Sequence, residues 1–265
     1  MTMERRDVLQ MLALAALAVP ALQVPEAQAG IQFDPNAPKP KFVMLVHPDM
    51  VLLDLVPALT AFKLTMGDVQ LVWKDRNPVS TDVGLDIRPT ATLADAHAAP
   101  DVLFVPGGIR GTVACMQDPD VIAFVAKTGA SARFVTSVCT GSLLLGAAGL
   151  LKGYRATGHW QSRHVLPQLG AILEDGRVVR DGNRITAGGV TAGLDFGLVI
   201  ASVIRDEEWA RSIQLILEYA PAPPYDAGTP ARAGTELTAL VSDLLKPSLA
   251  PLDKAVAHAR TRLQL

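Results

Sequence analysis

Neither sign of charge is in excess in this 265-residue sequence: 24 Lys and Arg against 26 Asp and Glu leave a formal net charge of −2. A basic stripe for nucleic acid and an acidic tail are both excluded. Cysteine is scarce. Cys115 and Cys139 are the only two; they could in principle pair in an oxidising compartment, but the sequence around Cys139 argues for a free thiol, and no Cys/His spacing resembles a metal site. Long apolar runs are missing too. The Ala/Leu-rich stretch from Met11 to Leu22 falls short of the roughly 18–20 residues that cross a bilayer, and Pro20 interrupts it. No internal repeat is visible.

That short stretch has a different meaning. Arg5-Arg6 precedes it and Ala27-Gln28-Ala29 follows, so residues 1–29 read as a secretory signal cut after Ala29. The adjacent arginines point to the twin-arginine route. The expectation is a periplasmic protein that meets the twin-arginine translocation machinery and folds before crossing. Residues 30–40, rich in proline and polar groups, read as a linker. The remaining chain, in a sequence that is 49% hydrophobic, is long enough for one large, well-buried domain.

Lys41 to His47, Val69 to Trp73, Asp101 to Val105 and Arg133 to Val138 are apolar runs of strand length. Helical spacing runs over Val51–Met66, from Pro119 to about Gly129, over Thr140–Leu151, Thr191–Ile204 and Glu207–Tyr219. Val79 to Ile87 reads as a short hairpin. Asp181-Gly182-Asn183 is a hairpin turn between Val178-Val179 and Arg184-Ile-Thr186. Strands alternating with helices across short glycine-containing loops imply an α/β fold with a mainly parallel sheet and helices on both faces. Residues 229–265 read as a C-terminal helical extension after a proline-rich connection.

The chemistry concentrates at Ser137-Val138-Cys139-Thr140-Gly141-Ser142. A strand ends at Cys139 and a helix begins directly after it, the arrangement of a nucleophile elbow. A helix N-terminus favours the thiolate, so an unusually acidic thiol is expected there. Pro106-Gly107-Gly108 follows a neighbouring strand, and its bare amides, with that of Thr140, could form a hole for negative charge. Asp54, flanked by leucines in Leu52-Leu53-Asp54-Leu55, is badly placed for solvation. Burial would raise its pKa and suit it to hold or deliver a proton, although an aspartate here could equally cap the following helix. His159 and His164 are the remaining proton-carrying candidates. No spacing rule places either beside Cys139, and His159 reads better as a pocket or dimer contact.

On these residues the chain resembles the ThiJ/PfpI superfamily, and within it the isonitrile hydratase branch. The resemblance runs over about 41–228. It is carried by the Leu-Asp-Leu segment, Val105-Pro-Gly-Gly108, Thr136-Ser-Val-Cys-Thr-Gly-Ser142, His159-Trp160, Arg177-Val-Val-Arg-Asp-Gly-Asn183, Gly188-Gly189 and Glu218-Tyr-Ala-Pro-Ala-Pro-Pro224. It implies a flavodoxin-like sandwich, commonly dimeric, with Cys139 as nucleophile, Asp54 as its proton partner and Thr140 following the nucleophile. Gly107, Gly108, His159 and Gly189 would line the pocket, and no cofactor or metal is implied. The implied reaction is hydration of an isonitrile to an N-substituted formamide through a thioimidate. The threonine after Cys139, where peptidase-like relatives carry histidine, counts against proteolysis. Relatives usually have Pro-Gly-Phe where this chain has Pro48-Asp49-Met50, and Gly-Pro where it has Val56-Pro57.

Other readings compete. A glyoxalase- or hydrolase-like cysteine enzyme acting on small reactive carbonyls would need His159 as base. A periplasmic thiol redox sensor would use Cys139 without turnover. A ligand-sensing domain of a transcription regulator would need a basic helix-turn-helix segment that the tail does not provide.

Overall fold

The computed structural model describes residues 38–265; the expected signal and most of the expected linker lie outside the described residues. In β1 (Lys41–Leu45) every residue after Lys41 is apolar and fully buried. Apolarity on both sides is what a strand needs when helices cover both faces of its sheet. After it come α1 (Leu52–Leu64), β2 (Asp68–Trp73), a small antiparallel pair of β3 (Val79–Ser80) with β4 (Asp86–Ile87), and β5 (Ala91–Thr92). β6 (Val102–Val105) and β7 (Phe134–Val138) are buried at every position, as β1 is after its first residue. Between them lie α2 (Ile109–Gln117) and α3 (Pro119–Ser131). The latter is capped by Asp118, with proline at its first position, where a missing N–H costs nothing.

α4 (Gly141–Ala147) follows β7 directly and is shorter than the expected Thr140–Leu151 helix. Gly149 turns the chain there at φ 78°. β8 (Arg155–Ala156) pairs with β9 (Ile172–Leu173) around a 3-10 segment, Arg163–Leu169. The expected hairpin is β10 (Val178–Asp181) against β11 (Arg184–Ala187), with Gly182 at positive φ in its turn. Four helices complete the chain: α5 (Ala192–Ile204), α6 (Glu207–Ile216), α7 (Pro230–Leu249), kinked at Gly234, and α8 (Leu252–Leu263).

The main sheet has the order β10-β11-β7-β6-β1-β2-β5, parallel throughout except for the β10–β11 edge. Alternate side chains along the strands separate two cores. Phe42, Met44, Val102, Phe104 and Phe134 face α1 and α5, where Phe62 stacks on Phe42 at 4.4 Å and Phe196 lies 5.6 Å from Phe104. Val43, Leu45, Leu103, Val105 and Val135 face α2, α3 and α4. Leu252, Ala255, Val256 and Ala259 of α8 join that second core, so the last helix of the C-terminal extension packs onto the domain. The flavodoxin-like α/β class expected from the sequence is the fold observed. Among the described residues no helix is long and apolar enough to cross a membrane.

The carboxyl ends of β1, β6, β7 and β11 open onto one edge. Sites in open α/β sheets form at such an edge, because the loops leaving adjacent parallel strands meet there.

Candidate active site

Cys139 is the first residue beyond β7 and has φ 58°, a left-handed conformation that side chains other than glycine rarely adopt. Four hydrogen bonds hold it there. Its N–H donates to the carbonyls of Ala187 (3.1 Å) and Gly188 (2.9 Å), and its own carbonyl accepts from His159 N–H (3.2 Å) and Ser142 Oγ (3.2 Å). Strain of this kind, costing about 1–3 kcal/mol, persists only where surrounding structure over-determines it. The elbow read from the sequence is therefore present, with the sulfur turned inward: Cys139 is only 5% exposed. Val105 and Pro106 carbonyls crowd Gly141, where a Cβ would come within 2.2 Å of Val105 O. The β6 and β7 loops thus meet as expected.

Asp54 does not cap α1. The helix starts at Leu52 with Val51 as its cap residue, and Asp54 sits in the first turn, fully buried. Capping comes from elsewhere, since Asp82 Oδ1 accepts from Leu52 N–H at 2.9 Å. Asp54 Oδ2 accepts from Gly107 N–H at 2.9 Å, while Oδ1 has no partner within ordinary hydrogen-bond geometry among the described residues. The group that interacts with this carboxyl is the Cys139 thiol. Burial pushes the Asp54 pKa up to about 7, against the pull of the Gly107 amide and the Cys139 contact.

The thiol corrects an expectation. Burial, and next the Asp54 charge, hold Cys139 well above the usual cysteine range, so it is not acidic at rest. α4 has only seven residues, and what its N-terminus offers the thiolate is outweighed by removal from water. Two backbone amides do aim at the sulfur, those of Thr140 and Val190.

The expected charge hole is corrected as well. Gly107 N–H is bound to Asp54, and Gly108 N–H donates to Thr140 Oγ1 at 2.9 Å. Neither amide is free for a substrate. Both glycines instead build the site. Gly108 has φ 123° and leaves room for Asp49 O, to which a Cβ would approach within 2.3 Å. Thr140 Oγ1 also bonds Thr112 Oγ1 at 2.8 Å, which ties α2 to the elbow.

Gly107 is the tightest point. A Cβ there would lie 2.7 Å from each of Asp54 Oδ2, Cys139 Cβ and Thr140 N. Gly107→Ala should therefore wedge the Asp54 carboxyl from the Cys139 side chain, destabilising the fold by about 1–3 kcal/mol and lowering any turnover at Cys139 at least ~10²-fold. Urea unfolding and steady-state kinetics on the purified variant measure both; near-unchanged turnover would contradict this packing.

His159 lies across Gly189, where a Cβ would come within 2.8 Å of its Cδ2. Burial and the nearby Arg163 keep its pKa below the usual histidine value. It packs against the Gly188–Val190 loop at Gly189. His164 is exposed on the 3-10 segment, away from the elbow. Sequence reasoning missed Val190, whose contribution is a backbone N–H that no side chain advertises. It also missed Thr112 and Asp82. Among the described residues no three His, Cys, Asp or Glu side chains converge as metal ligands.

A buried thiol at a strained strand–helix elbow, paired with a protonatable carboxyl at the carboxyl edge of a parallel sheet, defines a cysteine-centred α/β site. The DJ-1/PfpI family pattern matches residues 40–203, and the chain belongs to this family, also called ThiJ/PfpI. Isonitrile hydratase from Pseudomonas putida is 45% identical over 222 residues, 83% of this chain and 96% of that protein. The crystal structure of a ThiJ/PfpI family protein from Pseudomonas syringae superposes with a TM-score of 0.81 at 43% identity, covering 88% of this chain and 98% of the other. DJ-1beta from Drosophila melanogaster shares the fold, with a TM-score of 0.63 at 22% identity over 69% of this chain and all of its own.

Proposed function

We propose that this protein is an isonitrile hydratase, with Cys139 as nucleophile and Asp54 as the group that takes and returns its proton. The observation that carries the reading is the pairing of the buried Cys139 thiol with the buried Asp54 carboxyl. The likeness to isonitrile hydratase over most of both chains supports the substrate class.

An isonitrile carbon accepts a nucleophile and a proton at the same atom. In the productive state the Cys139–Asp54 pair holds one proton between them. Asp54 takes it from sulfur as the C–S bond forms and delivers it to the same carbon, giving a thioimidate, S–CH=N–R. Water then adds across C=N. Collapse breaks the C–S bond and releases the N-substituted formamide, and the departing sulfur recovers a proton through Asp54. The amides of Thr140 and Val190, aimed at Sγ, stabilise sulfur whenever it carries charge, as attacker and as leaving group. This assigns the preorganised donors to sulfur rather than to a substrate oxyanion. No cofactor enters the scheme.

The exported location and the homodimer belong to the same proposal. Arg5-Arg6, the short apolar run and the Ala27-Gln28-Ala29 end support export. The family resemblance supports the dimer.

Cyclohexyl isocyanide incubated with the purified protein should yield N-cyclohexylformamide at an enzymatic rate, followed by chromatography or infrared loss of the isocyanide stretch. Absence of formamide, with methylglyoxal consumed instead in a His159-dependent way, would replace this reading by the glyoxalase-like one.

A further inference from the structure

Val190 is an unusual residue to find beside a nucleophile. It has φ 20°, outside the regions a β-branched residue populates without strain. A valine held so needs external restraint, and its side chain has no polar group to supply one. Part of the restraint is local, since the Val190 carbonyl accepts from Gly193 N–H at 3.0 Å and the Gly189 carbonyl from Ala192 N–H at 3.0 Å; the residue that ties the loop from outside is Arg177, on the approach to β10.

Arg177 reaches the loop at both ends. Its carbonyl accepts from Gly188 N–H at 2.9 Å, and the Gly188 carbonyl in turn accepts from Cys139 N–H at 2.9 Å. At the other end its guanidinium donates to Thr191 Oγ1 at 3.2 Å and pairs with Asp195 in the first turn of α5. Tyr219 OH donates to Asp195 Oδ1 at 3.1 Å, fixing the carboxylate that holds the arginine. Arg177 and Tyr219 belong to two sequence motifs with no chemical group of their own at the elbow. Their side chains meet here, over the loop that leads back to the sulfur.

We propose that Arg177 is a positioning residue that staples both ends of the Gly188–Thr191 loop and so holds the Val190 amide against the Cys139 sulfur. Asp195 and Tyr219 support it by fixing the guanidinium fork, whose separate nitrogens reach Asp195 and Thr191 in one rigid plane that a lysine's single ammonium does not reproduce. The effect on chemistry passes through one N–H. Cutting the guanidinium end, with the Arg177 carbonyl still on Gly188 N–H, lets Val190 relax toward ordinary φ and weakens the hold of its amide on the sulfur, so that the thiolate depends more on the Thr140 amide. The inference rests on Cys139 being the nucleophile and does not depend on which substrate it attacks.

The test reads the thiol directly. Iodoacetamide labelling of Cys139, quantified by mass spectrometry across a range of pH, gives a rate and a midpoint without any isonitrile present. Arg177→Ala should slow labelling about three- to tenfold below the midpoint and move the midpoint up by about half to one pH unit. Thr191→Val, which removes one anchor without touching the arginine, should shift the midpoint the same way by less. Arg177→Lys should recover only part of the loss. A folded Arg177→Ala protein with the unaltered midpoint would overturn the proposal. Should that variant fail to fold, an unaltered midpoint in Thr191→Val would overturn it equally. A normal Arg177 response in a protein that makes no formamide would sink the substrate assignment and leave the staple standing.

Discussion

Cys139→Ala is expected to abolish formamide production, with a loss of at least ~10⁴-fold in turnover, while the protein still folds. Nothing else can form the carbon–sulfur bond. Cys115, the other thiol, is buried on the opposite face of the sheet, and its pKa is pushed up to about 12 by burial. The stability change should be small, about 1 kcal/mol. Alanine at φ 58° keeps the backbone strain, and the four hydrogen bonds to the residue's main chain, three from backbone groups and one from Ser142 Oγ, do not involve its side chain. Cys139→Gly offers a sharper separation of structure from chemistry. Glycine adopts positive φ freely, so this variant should be equally inactive yet as stable as the unmodified protein or more so by thermal melting. Residual turnover above about one percent in either variant, after exclusion of contaminating enzyme, would remove Cys139 from the mechanism.

Asp54→Asn should lower kcat/KM by about 10²–10⁴-fold, the usual worth of a positioned acid–base group. Asparagine keeps an oxygen for Gly107 N–H, so the loop geometry survives and the loss is one of proton traffic. Two pH signatures accompany it. The unmodified enzyme should gain activity as pH rises through about 7, where Asp54 gives up its proton and the pair reaches its one-proton state; the variant should lack that step. The pair titrates as a unit, so the step is a property of both groups. The second signature is stability. A carboxyl whose folded pKa lies above its unfolded value binds more protons folded than unfolded between the two. Stability therefore falls as pH climbs from the ordinary carboxylate range toward about 7. That decline should amount to a few kcal/mol and should be flattened in Asp54→Asn. Urea unfolding of both proteins across this range measures it, and parallel curves would show that Asp54 is not held in the buried state described.

The central strands were legible because burial on both faces writes itself as unbroken apolar runs, as in Phe42–Leu45 and Val102–Val105. The elbow at Cys139 and the leucine-flanked Asp54 were legible for a related reason: strand, turn and helix signals converge on one residue, and a lone carboxyl among leucines implies burial. What failed depended on partners. Two glycines in a row announce freedom of backbone, yet not which acceptors their amides will find, and Asp54 and Thr140 had already taken both. The sign of the thiol's shift failed because a helix start is visible in sequence while depth is not. Val190 could not be found at all, since only its main chain matters.

The departures at positions 49 and 56 were legible as differences, but not in their consequences. Asp49 stands at φ 57° where relatives have glycine, a conformation that aspartate tolerates better than most residues. Val56 is 42% exposed.

The placement of the two free cysteines on opposite sides of the sheet bears on more than reactivity. In the finished fold the two side chains are packed into separate buried cores, and both thiols are free. Before those cores form, both thiols are ordinary ones on a flexible chain, free to join. A crosslink made then would join two side chains that the native fold packs into separate cores, and forming those cores would work against it. In any oxidising surroundings the yield of active protein is thus a race between sheet closure and thiol oxidation, and the winner is decided once for each chain.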